Sequence, residues 1–523
     1  MSSASYSNLP ELLSARSASA RAMTFLIDQA NDRWFTYHDF ELTVDRTANL
    51  LLSVGVQKGD RVSLFLTNRV EYLFFYFACF RIGAWAGPIN ALLQAGEVEF
   101  LLRDSGAVVA VTEPSLLPIL SAASENGLLH RIVLVGADDK TAEHEPVGRL
   151  CGYEEAIAGL PSNFEPREIS KDDEAVIIYT SGTTGMPKGV LLTHGNLLAN
   201  AKQISEWLKL TAQDRSMIVM PLFHVNALMT TTLAALWAGG SIVLTPRFSA
   251  SHHWSNISSY EVTYFGSVAT MLSMLNNTYP DGMPAGARTS QLRFALCGSA
   301  PVPVEVSKKF EALFRCRVIE GYGLTESTCR STFNPIDRPR AGSIGLPIGN
   351  EVKVFDDADC ELSEGEGKIG EIVLRGPNIM KGYYHNPEAT ANAFRSGWFH
   401  TGDLGYRDAD GFFYIVDRKS DMIIRGGENI YPREIDEVLY QHPAVRDAGT
   451  VGIPDELYGE DVKAFVVLQP GAVASEADLI DFCQERLARF KCPKSIEFVA
   501  DIPKGPTGKL LKRELLARTL PRK

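Results

Sequence analysis

The chain has 523 residues, 45% hydrophobic and 22% charged, the balance of a globular protein with more than one core. Its formal net charge of −12 argues against a general nucleic-acid-binding surface. The eight cysteines have neither Cys-x-x-Cys nor Cys/His ligand spacing, which predicts buried reduced thiols. No signal-peptide pattern opens the chain, and the most apolar stretch, 72–86, is too short to span a membrane, so we expect a core helix there and a cytoplasmic location.

Short β-type runs alternate with helix-type runs along the first part of the chain. Strands are predicted at 61–66, 107–112, 131–135 and 241–244, and a helical segment begins at Val70. Such alternation is typical of parallel sheets covered by helices. The pattern therefore predicts an α/β fold.

A change of spacing after Gly342 predicts a small β-rich subdomain over 342–417. Two strands, at 352–355 and 371–375, are separated there by turns rich in Asp and Gly. The strand predicted at 411–416 is the last before a domain boundary.

A compact segment of small-domain size follows the boundary, which we place near 417–421. Its pattern predicts a helix at 433–441, a strand at 463–468 and a second, amphipathic helix at 477–490. This mixture predicts a small α+β domain at the C-terminus.

The segment 179–190, Tyr-Thr-Ser-Gly-Thr-Thr-Gly-Met-Pro-Lys-Gly-Val, lies between apolar runs predicted to be strands. Glycines let a backbone approach a ligand closely, hydroxyls donate hydrogen bonds, and Lys188 adds positive charge, so this loop suits a polyphosphate. It lacks the spacing of the commoner phosphate loop. The alternative interpretation is a surface turn rich in Ser, Thr and Gly.

These twelve residues resemble the signature loop of the adenylate-forming superfamily, which includes acyl-CoA synthetases, luciferases and peptide-synthetase adenylation domains. Further matches follow in the expected order along nearly the whole chain. The resemblance implies an N-terminal AMP-binding domain over 1–417, a hinge at 418–420, and a C-terminal lid over 421–523, with the active site between the domains. It also implies that the loop binds ATP through Thr180, Ser181, Gly182, Thr183, Thr184, Gly185 and Lys188.

Three further motifs resemble the rest of the family's nucleotide site: 295–301 (Ala-Leu-Cys-Gly-Ser-Ala-Pro), 320–327 (Glu-Gly-Tyr-Gly-Leu-Thr-Glu-Ser) and 398–405 (Trp-Phe-His-Thr-Gly-Asp-Leu-Gly). The resemblance implies an adenine contact from the first, a purine-stacking tyrosine and a Mg²⁺ ligand, Glu326, from the second, and a ribose-binding carboxylate from the third. Thr184 is the second implied metal ligand. The implied nucleotide contacts are Gly298, Ser299, Ala300, Glu320, Gly321, Tyr322, Gly323, Thr325, Asp403 and Arg418.

Three features of the last hundred residues also match the family. Ser420 aligns with the hinge, where Asp or Lys is commoner. Gly426 and Gly427 match a turn that packs against the pantetheine of coenzyme A after the lid rotates. Lys509, in Pro-Lys-Gly-Pro-Thr-Gly-Lys-Leu, matches the catalytic lysine; a solvated basic tail is the alternative.

The motif 221–226, Pro-Leu-Phe-His-Val-Asn, resembles the acyl-pocket segment of the family, in which His224 lies at the carboxylate end. The polar stretch 328–332 resembles that of relatives that use small dicarboxylic acids, so Arg330 is a candidate partner for a substrate anion; a surface arginine is the alternative. The candidate pocket residues are Phe223, His224, Val225, Asn226, Met229 and Arg330.

The resemblance implies a two-step ligase. The carboxylic acid attacks ATP to give acyl-AMP and pyrophosphate, and coenzyme A then takes the acyl group. ATP, Mg²⁺ and coenzyme A are thus the expected co-substrates and cofactor, and Lys509, Thr184, Glu326 and His224 the catalytic residues. The alternatives are transfer to a carrier protein, an oxygenase step, and an inactive nucleotide-binding homologue. Fatty, aromatic, carnitine-type and small dicarboxylic acids all stay open, and a homodimer is common in the family.

Overall fold

The computed structural model describes residues 5–125, 127–136, 149–181, 186–300, 302–505 and 510–519. The helices in this part of the chain are α1 Leu9–Ser19, α2 Tyr37–Ser53, α3 Val70–Ile82, α4 Ala95–Ser105, α5 Leu117–Ala123, α6 Tyr153–Ala158, α7 His194–Trp207, α8 Ala234–Ala238, α9 Ala250–Ser259, α10 Ala269–Thr278, α11 Val304–Phe314, α12 Pro387–Ala393, α13 Pro432–Tyr440, α14 Glu476–Gln484 and α15 Lys512–Thr519. A π-helix, Ala227–Leu233, precedes α8.

The strands in the same part of the chain are β1 Thr24–Asp28, β2 Arg33–Thr36, β3 Arg61–Phe65, β4 Trp85–Pro88, β5 Val109–Thr112, β6 Arg131–Leu134, β7 Leu150–Gly152, β8 Glu174–Ser181, β9 Pro187–Thr193, β10 Arg215–Ile218, β11 Ser241–Leu244, β12 Tyr264–Ser267, β13 Phe294–Cys297, β14 Arg317–Tyr322, β15 Thr332–Phe333, β16 Leu346–Pro347, β17 Glu351–Phe355, β18 Gly370–Arg375, β19 Gly382–Tyr383, β20 Phe394–Arg395, β21 Trp398–Arg407, β22 Phe413–Arg418, β23 Ile423–Arg425, β24 Glu428–Ile430, β25 Val445–Asp455, β26 Gly459–Leu468 and β27 Ser495–Phe498.

Two large mixed sheets form the body of the N-terminal part. One has the order β19-β9-β8-β4-β3-β5-β6-β7 and the other β16-β15-β14-β13-β12-β10-β11-β1-β2. Their central strands are parallel, as the alternating pattern predicted, whereas β9, β19, β2, β15 and β16 pair antiparallel at the edges. The predicted α/β class is confirmed.

Helix α3 is the most deeply buried helix of this core, since every residue except Arg81 is buried. A helix that is apolar on all sides needs packing partners around its whole circumference. Residues 72–82 of the apolar stretch lie in this helix, as predicted, whereas Trp85 and Ala86 belong to β4. No helix in the described ranges combines the length and apolar character that a bilayer crossing requires.

Two smaller sheets follow. Strands β17, β18, β20, β21 and β22 form an antiparallel sheet, which is the predicted β-rich subdomain. Strands β23 to β27 form a separate sheet covered by α13 and α14, which gives the C-terminal part its α+β character.

Two expectations from the sequence are wrong in detail. The helix predicted at 477–490 ends at Gln484, because the N–H groups of Arg486 and Leu487 both bond to Cys483 O and Ala488 is extended. The amphipathic spacing persists since Phe490 still packs on the same core. All eight cysteines are free thiols, but Cys360 is exposed and Cys151 only half-buried.

Candidate active site

The Ser/Thr/Gly loop connects two antiparallel strands, β8 and β9. Their register pairs Thr180 with Lys188 and Ser181 with Pro187, so the hairpin holds Thr180 and Lys188 side by side at the base of the loop. Gly182, Thr183, Thr184, Gly185 and Lys509 lie outside the described residues. The hairpin places the two residues that flank the loop, Ser181 and Met186, at the same end of the two strands.

Tyr383 links this loop to the predicted metal ligand. Lys188 Nζ lies 5.2 Å from the centroid of the Tyr383 ring, and the Tyr383 hydroxyl donates a 3.0 Å hydrogen bond to Glu326 Oε1. Strand β19 holds Tyr383 beside β9 by pairing it with Val190. Sequence reasoning missed this residue; its one local signal is a Gly-Tyr-Tyr run that surface turns also have.

Glu326 is half-buried, and burial raises the pKa of its carboxyl above the ordinary value. A cation beside Glu326 would stabilise its ionised form. The described ranges contain no group of three or more His, Cys, Asp or Glu side chains able to hold a metal. Mg²⁺ binds proteins through one or two carboxylates together with phosphate oxygens and water. Glu326 therefore fits the expected ion.

Tyr322, Asp403 and Arg418 form one hydrogen-bonded group. The Tyr322 hydroxyl donates a 2.6 Å bond to Asp403 Oδ2, and Arg418 Nε lies 3.1 Å from Asp403 Oδ1. Strand β21 carries Asp403 opposite Arg418 on β22. The three predicted nucleotide residues thus come from two different sheets and meet at one wall.

A cavity of about 500 Å³ lies at this wall, between the large sheets and the C-terminal part. It forms where the carboxyl ends of the adjacent parallel strands β13 and β14 meet, a common place for ligands in α/β sheets. It is lined by eight of the predicted nucleotide residues, namely Ser299, Ala300, Glu320, Gly321, Tyr322, Gly323, Asp403 and Arg418. Among the described residues, its lining does not include Thr180, Lys188, Gly298, Thr325 or Glu326.

The C-terminal part closes the cavity with residues that flank Lys509 in sequence. Lys504 and Leu510 pair in a β-bridge across the loop and both line the cavity. Gly426 and Gly427 are absent from the lining given by the described residues, and Gly426 N–H bonds instead to Tyr458 O at 2.9 Å. The C-terminal part therefore faces the cavity with Lys504 and Leu510, which flank 506–509, rather than with the glycine turn.

Glu320 faces this lid across the cavity. Burial raises the pKa of its carboxyl to about 7, and the charge of Arg433 on α13 opposes that shift. Glu320 is thus poised between its neutral and charged forms near neutral pH.

His224 lies in a turn that its own N–H closes on Pro221 O. Its Nε2 is buried and has no partner among the described residues. The Phe223 ring is 4.3 Å away, centroid to centroid, and burial lowers the pKa of His224 to about 4. His224 is therefore a neutral imidazole at physiological pH, and its Nε2 can donate a hydrogen bond to a ligand or accept one from it.

Asn226 connects this turn to the 295–301 motif. Its Nδ2 donates to Ser299 Oγ at 3.1 Å, and its Oδ1 accepts from Thr230 Oγ1 at 2.6 Å. Ser299 adopts a left-handed backbone conformation, φ +69°, which is strained for a residue with a side chain and is typical of functional turns. Val225 and Met229 are buried, and Met229 belongs to the main core.

Arg330 is not on the surface: it is only 2% exposed. Its Nη1 donates to Gly321 O at 2.7 Å and its guanidinium lies over the Phe333 ring. Nε and Nη2 have no hydrogen-bond partner in the described part of the chain. A Cβ at position 298 would lie 2.3 Å from Arg330 Nη1, so the 295–301 turn needs a glycine at this position, where it packs against Arg330.

The candidate pocket residues Phe223, His224, Val225, Asn226, Met229 and Arg330 are outside the lining of the 500 Å³ cavity. Ser299 bridges the two groups, because it lines the cavity and also bonds to Asn226. Ser420, the predicted hinge, lies in the turn between β22 and β23 and donates to Asp421 Oδ1.

The comparisons with known proteins cover both parts of the chain. The family model described as AMP-binding enzyme matches residues 13–384, and the model of the AMP-binding enzyme C-terminal domain matches 434–509. The chain is 36% identical over 514 residues to the sulfoacetate–CoA ligase of Cupriavidus necator, covering 98% of each chain. It is 34% identical to the long-chain-fatty-acid–CoA ligase FadD13 of Mycobacterium tuberculosis, over 98% of this chain and 100% of that protein.

A solved structure is similar over the same extent. The chain matches ATP-bound MatB from Rhodopseudomonas palustris with a TM-score of 0.88 and 30% identity, over 98% of this chain and 99% of that one. The match of both domain models, together with these full-length similarities, shows that the chain belongs to the AMP-binding enzyme family.

Proposed function

We propose that this protein is an ATP-dependent carboxylate–CoA ligase that forms an acyl-adenylate and then an acyl-CoA thioester. The observation that carries the proposal is the cavity in which Tyr322, Asp403 and Arg418 face Lys504 and Leu510, the neighbours of Lys509. The full-length similarity to proteins named as CoA ligases supports the same reaction.

The chemistry explains why such a cavity needs both domains. A carboxylate is a poor acyl donor because its leaving group would be oxide. Attack of a carboxylate oxygen on the α-phosphorus of ATP forms a mixed anhydride and breaks the bond to pyrophosphate. The thiol of coenzyme A then attacks the carbonyl carbon, and AMP leaves with the bonding electron pair.

Each residue contributes binding or charge in this proposal. Asp403 accepts hydrogen bonds from the ribose hydroxyls, while Lys188 and Lys509 stabilise the negative charge that builds up on the phosphates. Glu326 and Thr184 would hold Mg²⁺, which neutralises phosphate charge so that an anionic acid can approach. Neutral His224 donates a hydrogen bond from Nε2–H to the reacting carboxylate. Rotation at Ser420 then exchanges Lys509 for Gly426 and Gly427.

The proposal extends to the acid, which we expect to be short and to carry a second anionic group. Arg330 supports this, because its buried guanidinium has two nitrogens without a hydrogen-bond partner and no ion pair at contact distance among the described residues. Its charge acts on Glu320 only at longer range, so a ligand anion would offset the cost of burying it. Gly298 leaves room for the guanidinium beside the Ser299 turn, and there we propose that it meets the second anion. The name of the sulfoacetate–CoA ligase refers to an acid of this kind.

A panel of acids tests both levels of the proposal. AMP release with ATP, Mg²⁺ and coenzyme A is measured for acetate, malonate, succinate, sulfoacetate, benzoate and decanoate. We expect the best short dianionic acid to exceed acetate by at least about tenfold in kcat/KM. Preference for decanoate or benzoate would reject the acid class and leave the ligase assignment intact.

The acceptor is tested in the same assay. We expect formation of a thioester with free coenzyme A. Adenylation without thioester would instead favour a carrier protein as acceptor. Failure of every acid in ATP–pyrophosphate exchange would favour an inactive homologue.

A further inference from the structure

The residues on either side of 506–509 are attached to the C-terminal sheet. Lys504 Nζ lies 2.5 Å from Asp447 Oδ2 on β25, and a β-bridge pairs Lys504 with Leu510. Leu510 also lies against Gly449 of the same strand. Both residues therefore move with the lid in any orientation.

Lys512, which follows this stretch in the chain, contacts the hinge region. Lys512, the first residue of α15, places its Nζ 3.3 Å from Asp421 Oδ2 and 3.6 Å from Asp417 Oδ1. The Asp417 side chain is 7% exposed and that of Lys512 22%, so solvent screens this pair less than it screens a surface ion pair. Nearby carboxylates raise the pKa of Lys512 against the opposing effect of burial, so the side chain stays charged.

The two acids lie on either side of Ser420, the proposed hinge. Asp417 belongs to β22 of the third sheet, and its Oδ2 also accepts the N–H of Arg433 from α13 at 3.0 Å. Helix α15 packs on the lid through the fully buried Leu515. Rotation of the lid about Ser420 carries α15 along while Asp417 stays with β22, so the Lys512–Asp417 contact can exist only near this orientation.

We propose that Lys512 is a positioning residue that holds the lid in the orientation in which Lys504 and Leu510 line the nucleotide cavity, and that its contact with Asp417 breaks when the lid rotates. The inference rests on the proposed ligase function. It predicts that loss of the Lys512 charge slows the first half-reaction selectively, because the ion pair to Asp417 then no longer holds the lid in the orientation for adenylate formation.

The test separates the two half-reactions in Lys512→Gln and Lys512→Arg. We expect Lys512→Gln to slow ATP–pyrophosphate exchange by about 10- to 100-fold, the scale for misplacing a catalytic group by about 1 Å. Thioester formation from a synthetic acyl-adenylate of the preferred acid should be unchanged, and Lys512→Arg should restore most of the exchange. Lys494→Gln is the matched control, since its Nζ pairs with Asp455 and lies near Asp461 on the same domain, rather than with Asp417 or Asp421.

Deuterium exchange of the substrate-free enzyme gives a readout that does not depend on activity. We expect the peptide spanning 417–425 to exchange faster in Lys512→Gln than in wild type and in Lys494→Gln. Equal slowing of both half-reactions, or unchanged hinge exchange, would overturn the inference. If wild type adenylates no acid, the proposed function fails. Deuterium exchange of the 417–425 peptide alone then supports or rejects the role of Lys512 in holding the lid.

Discussion

Tyr322 and Asp403 are joined by a 2.6 Å hydrogen bond from the phenol hydroxyl to the carboxylate, although they are 81 residues apart in the chain. The bond connects the carboxyl end of a parallel strand to an antiparallel sheet and fixes one wall of the cavity. Because the carboxylate is the proposed ribose acceptor, this pair determines where the nucleotide lies.

Substitution of Asp403 tests this wall. We expect Asp403→Asn to raise the KM for ATP by about 10- to 100-fold, the scale of losing a hydrogen bond to a charged group. Tyr322→Phe keeps the ring and should have a smaller effect. Steady-state kinetics measure the KM of both variants, and isothermal titration with a non-hydrolysable ATP analogue measures their affinity. Wild-type affinity in Asp403→Asn would contradict the assignment.

Lys509 is expected to act in adenylation alone. Removing one preorganised charged donor should slow acyl-AMP formation by at least about 10²-fold in Lys509→Ala. Thioester formation from supplied acyl-AMP should largely survive. Adenylation at the wild-type rate would rule out the catalytic role of this lysine.

Substitution of Arg330 distinguishes an anion-binding role of this side chain from a structural one. We expect Arg330→Met to lower kcat/KM for the short dianionic acid by about 10²-fold or more, because the second anion loses its buried partner. The Tm should stay the same or rise, because a buried charge without an acidic partner is removed. A large fall in Tm together with unchanged acid preference would indicate a structural arginine.

Tyr383 is tested by a pair of variants that separate its two contacts. Tyr383→Phe loses the hydroxyl bond to Glu326 but keeps the ring under Lys188, whereas Tyr383→Leu loses both. We expect adenylation to fall about threefold to tenfold in the first variant, the value of one hydrogen bond, and further in the second. The Mg²⁺ dependence of pyrophosphate exchange should shift in both. Identical kinetics in the two variants would show that the ring contact is irrelevant.

Asp436 on α13 makes lid stability depend on pH. Burial raises the pKa of this carboxyl from its ordinary 3.8 to about 7, while the charge of Lys512 opposes the shift. Between these two values the exposed acid ionises while the buried acid holds its proton, so the penalty for burying Asp436 grows as pH rises from about 4 to about 7.

Asp436→Asn removes this penalty. We expect its Tm to match wild type near pH 4 and to exceed it by about 2 °C or more at pH 8, as measured by scanning calorimetry. A Tm difference that does not change with pH would contradict the raised pKa.

Local patterns predicted several strands of the two large sheets. The runs at 61–66, 107–112, 131–135 and 241–244 became β3, β5, β6 and β11 with ends displaced by no more than two residues. Apolar runs of this kind need no knowledge of distant partners. The helix at 477–490 was overextended because its hydrophobic spacing continues through a turn, and spacing alone does not reveal where backbone hydrogen bonds stop.

The sequence by itself determined the class of chemistry, because motifs such as 179–190 and 320–327 resemble those of the adenylate-forming superfamily and lie in consecutive residues. Only the tertiary structure decided that Arg330 is buried without an acidic partner among the described residues, that Tyr383 joins Lys188 to Glu326, and that Lys512 reaches the hinge. These relationships depend on burial and on contacts between segments far apart in the chain, which the spacing of neighbouring residues does not encode.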